Sequence, residues 1–136
     1  MRTVDDTAIR AAASTRFRSE YDYAVFEYLR SAKVIRALER AGVKTGGRIL
    51  DAGCGGGGTA VSLAEEADLT VGLDIEGRFA DAGTRLARER DVKNVAFLQG
   101  DGVHLPFGDA TFDLVFSHSV IEHVHSAREY LSLIHI

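Results

Sequence analysis

Arg48-Ile-Leu-Asp-Ala-Gly-Cys-Gly-Gly-Gly-Gly-Thr59 is an apolar strand that runs directly into a glycine turn, with an acid, Asp51, near the strand's carboxyl end. A loop this rich in glycine lets backbone N–H groups approach a ligand closely, and the helix behind it offers its N-terminal partial positive charge to an anionic group. The stretch therefore reads as a strand–loop–helix seat for a nucleotide-like cofactor. Two spacings overlap in it, Asp51-x-Gly53-x-Gly55-x-Gly57 and Gly53-x-Gly55-x-x-Gly58. The second is the dinucleotide-binding pattern, and the loop alone does not choose between the two.

Outward from this loop, short apolar runs alternate with helical stretches, the signature of βαβ units and an α/β fold with a parallel, Rossmann-like sheet. Strands are expected at Arg48–Ala52, Leu69–Asp74, Val95–Gln99 and Leu114–Ser117, with helices near Gly58–Glu66, Gly77–Arg90 and Ile121–Leu131. Ahead of the loop, Val25, Tyr28, Leu29, Ala32, Ile35 and Leu38 recur at helical spacing between Ser19 and Ala41, which predicts one helix with those side chains buried and Gly42 as its stop. Thr3 to Arg18 reads as a shorter leading helix. Residues 1–44 thus form an N-terminal helical segment, serving as a lid or the acceptor side, and 45–130 a cofactor-binding half-domain.

With 46% hydrophobic and 26% charged residues in 136, the chain has the balance of one globular domain. It contains neither a long apolar run nor a secretory or transit pattern, so a cytoplasmic location is expected. Residues 1–48 hold ten Lys or Arg against six Asp or Glu, whereas 49–136 hold six against fourteen. An acidic cofactor half argues against a nucleic-acid groove, which would carry a basic stripe. The single cysteine, Cys54, excludes an internal disulfide; it reads either as a small space-filling residue or as a low-pKa thiol at a helix N-terminus.

Two further acids follow the loop. Asp74 ends the second strand in Val71-Gly-Leu-Asp-Ile-Glu76, where a carboxylate can accept from ribose hydroxyls. Asp101 follows the third strand in Phe97-Leu-Gln-Gly-Asp101, where one can accept from the exocyclic amine of adenine. With Leu105-Pro-Phe-Gly-Asp-Ala-Thr-Phe-Asp-Leu-Val-Phe-Ser117 and Val120-Ile-Glu-His-Val124 behind them, the chain resembles the class I S-adenosylmethionine-dependent methyltransferases over about residues 45–125. Within that group it is most similar to the small-molecule enzymes that include the quinone-biosynthesis C-methyltransferases.

The resemblance implies S-adenosyl-L-methionine as cofactor and a small-molecule methyl acceptor. It implies that Asp51 holds the loop and faces the methionine amino group, that Gly53, Gly55 and Gly57 make room for the methionine and ribose, and that Asp74 takes the ribose. It further implies that Asp101 takes the adenine, with Ile75 and Gly102 walling its slot, and that Ser117 opens onto the methyl group. His118 and His123 are the candidate bases. His118, His123 and His125 with Glu122 also have the look of a metal cluster, but packing or helix-start hydrogen bonding is the expected role and no metal is assigned. Ser117-His-Ser-Val120 replaces the Asn-Pro-Pro-aromatic motif of many base- and glutamine-methylating enzymes, which favours a small-molecule acceptor over nucleic acid. An NAD-dependent oxidoreductase and a non-catalytic adenosyl-ligand-binding domain are the competing readings.

A sheet of this class normally continues beyond a fourth strand. Leu131-Ser-Leu-Ile-His-Ile136 back-translates as CTG TCT CTT ATA CAC ATC, the end sequence of a transposase adaptor used in library preparation, so 131–136 is expected to be a non-native tail on a C-terminally truncated enzyme that is inactive alone.

Overall fold

Ser19 begins the first helix because its hydroxyl accepts from the Asp22 N–H at 3.2 Å, satisfying an otherwise orphaned donor. In the computed structural model, which describes residues 17–118, 120, 121 and 124–134, helix α1 spans Glu20–Arg40. Gly42, at φ +73°, turns the chain out of it, and the Val43 N–H returns to the Leu38 carbonyl. There follow β1 (Arg48–Ala52), α2 (Gly58–Ala64), β2 (Leu69–Asp74), α3 (Arg78–Glu89), β3 (Val95–Gln99), β4 (Leu114–Phe116) and α4 (Ala127–Ile134). Among the described residues no helix is long and apolar enough to cross a membrane. Most of the leading stretch Thr3–Arg18 lies outside the described residues.

The four strands form one parallel sheet in the order β3-β2-β1-β4. The order in which strands are added reverses between β1 and β4, and ligands of open α/β sheets settle at the carboxyl ends of strands at such a switch point. Register brings Asp51 level with Gly72 and Phe116, and Gly72 level with Phe97. The Asp113 carboxylate accepts from the Arg48 N–H at 2.8 Å, and the Asp113 N–H donates to the Arg48 carbonyl, fixing β4 beside β1.

Alternation along the strands sends Leu50, Ala52, Val71 and Leu73 to one face, where they pack with Tyr130 of α4 and with Val103, Leu105, Phe107 and Phe112 of the long β3–β4 connection. The other face carries α1, α2 and α3 around Ala24, Val61, Ala82, Leu86 and Ala87, with Phe97 against them. Asp51 and Asp74 belong to this second face by the same alternation.

Helix α1 differs from its expected orientation. Leu29 is 70% exposed and Ala32 is exposed, whereas the buried positions are Ala24, Glu27 and Ser31. The helix comes so close to α2 that a Cβ at Gly58 would run into the Ala24 carbonyl oxygen and the Tyr28 amide nitrogen. Ala24 and Ser31 leave room for that approach and Glu27 reaches past it toward the glycine loop, so Val25 and Tyr28 pack at its flanks. Tyr21 and Tyr28 hydrogen-bond Glu89 of α3 and Glu65 beside α2, and carry the Arg85 and Arg90 guanidinium groups over their rings.

The first three strands match their expected limits and β4 is one residue shorter than expected. The last helix starts at Ala127 instead of Ile121, because the Ser126 hydroxyl accepts from the Glu129 N–H at 3.2 Å and so caps it there. Asn94 ties the α2 end to the sheet by donating to both Ala64 and Ala67 carbonyls at 2.7 Å. Asn94→Ala should therefore cost about 1–3 kcal/mol, because two carbonyls lose their partner. Urea denaturation measures this; an unchanged midpoint would show that water replaces the amide without loss.

Candidate cofactor site

The glycine loop leaves β1 through residues in alternately left-handed backbone. Gly53, Gly55 and Gly57 have φ of +77°, +56° and +83°, conformations that side chains other than glycine's rarely tolerate. The Gly53 and Cys54 N–H groups both donate to the Leu73 carbonyl, and the Gly57 N–H donates to the Cys54 carbonyl. The loop is thereby bound to the end of β2 before α2 begins.

Asp74 occupies the centre of this arrangement. One of its carboxylate oxygens accepts from the Gly55 N–H at 2.9 Å and the other from the Glu76 N–H at 2.9 Å. The loop is thus held by Asp74, while Asp51 lies beneath it on β1, 2% exposed. Burial, reinforced by the Asp74 charge, raises the Asp51 carboxyl to about 7. The same burial and the neighbouring carboxylates push the Cys54 thiol up far above its ordinary value, so Cys54 is a space-filling residue beside Gly72 and not a reactive thiolate.

Farther along the sheet edge, Asp101 folds back on its own turn. Its carboxylate accepts from the Val103 N–H at 3.0 Å and meets His104 Nδ1 at 3.2 Å, and these contacts hold its carboxyl below the usual range. Ile75 is 66% exposed at the end of β2, next to a Gln99 amide that donates to its carbonyl. Gly102 lies against the Tyr130 ring, and Ser117 Oγ is 2.6 Å from the Tyr130 hydroxyl. Tyr130, fully buried, therefore joins the Gly102 turn to the end of β4, a link that the sequence pattern did not reveal. His118 is exposed with its ring stacked on Phe116, and His125 is exposed too. His123 and Glu122 lie outside the described residues.

A second residue missed by sequence reasoning comes from α1. Glu27 is buried at the loop: its Oε1 lies 2.6 Å from where a Cβ at Gly56 would stand, and its Oε2 3.2 Å from the corresponding point at Gly55. Burial and the Asp51 charge push its carboxyl well above the usual range, against a smaller opposing pull from the Gly56 N–H and Arg30. The available signal was an acid within the amphipathic helix preceding a glycine loop, which resembles any solvated glutamate. The arrangement as a whole gathers Glu27, Asp51 and Asp74 around the glycine loop, an acceptor set suited to a ligand that is positively charged and carries hydroxyl groups.

Residues 50–135 match the family described as methyltransferase domain. The chain belongs to that family, and its fold and loop are those of a class I methyltransferase domain. It is 32% identical over 82 residues to the uncharacterized methyltransferase YcgJ of Bacillus subtilis, a match covering 60% of this chain and 32% of the relative. It is 37% identical to the sterol 24-C-methyltransferase erg6 of Schizosaccharomyces pombe, with 64% and 24% covered, and 31% identical to the demethylmenaquinone methyltransferase of Staphylococcus saprophyticus, with 59% and 35% covered. The crystal structure of YcgJ superposes with a TM-score of 0.68 at 27% identity, covering 77% of this chain and 44% of that one. The chain thus spans a quarter to about a third of the length of these curated relatives.

Proposed function

We propose that the protein binds S-adenosylmethionine at the β1–α2 loop and takes part in transferring its methyl group to a small-molecule acceptor. The observation that carries this reading is the Asp74 carboxylate holding the left-handed glycine loop at the carboxyl edge of a parallel sheet, with two more carboxylates buried beside it. The residues fit the group: an acid-lined glycine cradle suits a ligand with an ammonium, a sulfonium and ribose hydroxyls. Asp51, Gly53, Gly55 and Gly57 would hold its methionine portion, Asp74 its ribose, and Asp101, Ile75 and Gly102 its adenine.

When bound, this cofactor supplies a methyl group already activated by the adjacent positive sulfur. The chain's own residues then bind, orient and exclude water, an effect that can reach roughly 7–11 kcal/mol when the reacting groups are aligned. Ser117 at the end of β4 marks the side from which an acceptor approaches. Where the acceptor must lose a proton, His118 or His123 receives it. The sterol and menaquinone relatives support a small organic acceptor in preference to nucleic acid.

Calorimetric titration with S-adenosylhomocysteine and with NAD tests the reading. The homocysteine derivative should bind at least about tenfold more tightly, and Asp74→Ala should weaken it by a further tenfold to hundredfold, since about 1.5–3 kcal/mol attaches to hydrogen bonds with a charged group. Preference for NAD would overturn the cofactor. Binding without methyl transfer by the complete gene product would indicate an adenosyl-ligand-binding domain instead.

A further inference from the structure

Helix α1 precedes the cofactor-binding unit, yet it places a side chain at the centre of it. Glu27 is 9% exposed and its Oε1 has no hydrogen-bond partner. Among the described residues it forms no ion pair; Arg30, on the same helix, only contributes a longer-range attraction. One turn before it, the Tyr23 ring reaches the same loop, 3.5 Å from where a Cβ at Gly55 would stand. Buried carboxylates are expensive unless paired, and buried polar atoms are nearly always satisfied. Gly58 permits the close approach of α1 that brings Glu27 this deep. A glutamine would fill the same volume without the charge, so the feature requiring explanation is a buried carboxylate against the glycine loop whose Oε1 has no donor to accept from, the Gly56 N–H notwithstanding.

We propose that Glu27 is a direct ligand of the cationic amino-acid end of the cofactor, its Oε1 accepting a hydrogen bond from the ammonium group. The inference rests on the S-adenosylmethionine reading and extends it, because it draws the N-terminal helix into the cofactor site. The incoming ammonium supplies the missing donor and neutralises one of three crowded carboxylates. Tyr23 offers its ring beside that position, where a cation is attracted to the aromatic face.

The test is a cycle of two proteins and two ligands. Calorimetry compares S-adenosylhomocysteine with its desamino analogue, which lacks only the ammonium group, on the wild-type protein and on Glu27→Gln. The wild type should prefer the complete ligand by about tenfold or more, the range expected for a hydrogen bond to a charged group. Glu27→Gln should lose most of that preference while binding the desamino analogue about as well as the wild type does. A preference that survives in Glu27→Gln would overturn the proposal, and so would a wild type that binds both ligands equally, a result that does not depend on the variant folding. If the wild type binds neither ligand, the cofactor reading itself fails and this inference falls with it.

Discussion

Gly58→Val will detach helix α1 from the rest of the protein. The added Cβ would run into the backbone of α1 at the Ala24 carbonyl and the Tyr28 amide, and its third near neighbour is Glu27 Cβ at 2.7 Å. Backbone obstacles cannot be relieved by a change of rotamer, so the helix must move as a unit. The expected loss is about 3 kcal/mol or more, at the upper end of overpacking costs, because the apolar contacts of Ala24 and Val61 are disrupted together. Gly46→Ala is the matched control, since a Cβ there meets nothing within 4 Å. Chemical denaturation should separate the two clearly. Equal midpoints would mean that α1 does not dock as described.

Asp51→Asn should stabilise the ligand-free protein above neutral pH and flatten its stability profile. The Asp51 carboxyl titrates at about 7 in the fold, against 3.8 when unperturbed, because it is buried and faces Asp74. Between those values the folded chain keeps a proton that the unfolded chain has released, so stability falls as pH rises through the window and the full penalty is present above it. The difference corresponds to on the order of 4 kcal/mol at most. Glu27, also raised, adds a residual slope of the same sign in the variant. Denaturation at about pH 5 and about pH 8 reads the effect. If the variant is no more stable than the wild type at the higher pH, the Asp51 carboxylate is compensated in a way that its burial does not suggest.

The strands and the glycine loop were legible because a parallel sheet covered on both faces calls for apolar runs, which Ile49–Leu50 and Val71–Leu73 supply in the two central strands and Val95–Leu98 repeats in the half-exposed edge strand. The positions of Asp51 and Asp74 followed directly from the strand ends. What periodicity could not give is the rotation of α1. Its buried line consists of Ala24, Glu27 and Ser31, chosen for small size at a close helix crossing and for an acid at the loop, whereas Leu29 remains in solvent. A pattern that equates burial with apolarity finds Val25 and Tyr28 beside the core but puts Leu29 and Ala32 on the buried line, and with it loses Glu27. The Ser117–Tyr130 contact was equally hidden, because it joins residues whose proximity depends on how the connection after β4 folds back. The loop-holding role, expected of Asp51, is carried in the fold by Asp74 through its bond to Gly55.

The parallel register described above also bears on how such a protein can diverge. Asp51, Asp74 and the turn bearing Asp101 each lie at or just beyond the end of a strand whose alignment is set by main-chain pairing to its neighbour. The connection from β3 to β4 packs on the opposite face, around Leu105, Phe107 and Phe112. Lengthening that connection beyond the Asp101–Gly102 turn leaves the carboxylates of β1 and β2 where they are. The face that packs Leu105, Phe107 and Phe112 can therefore change in length and sequence while the main-chain pairing that places Asp51 and Asp74 on the other face is inherited unchanged.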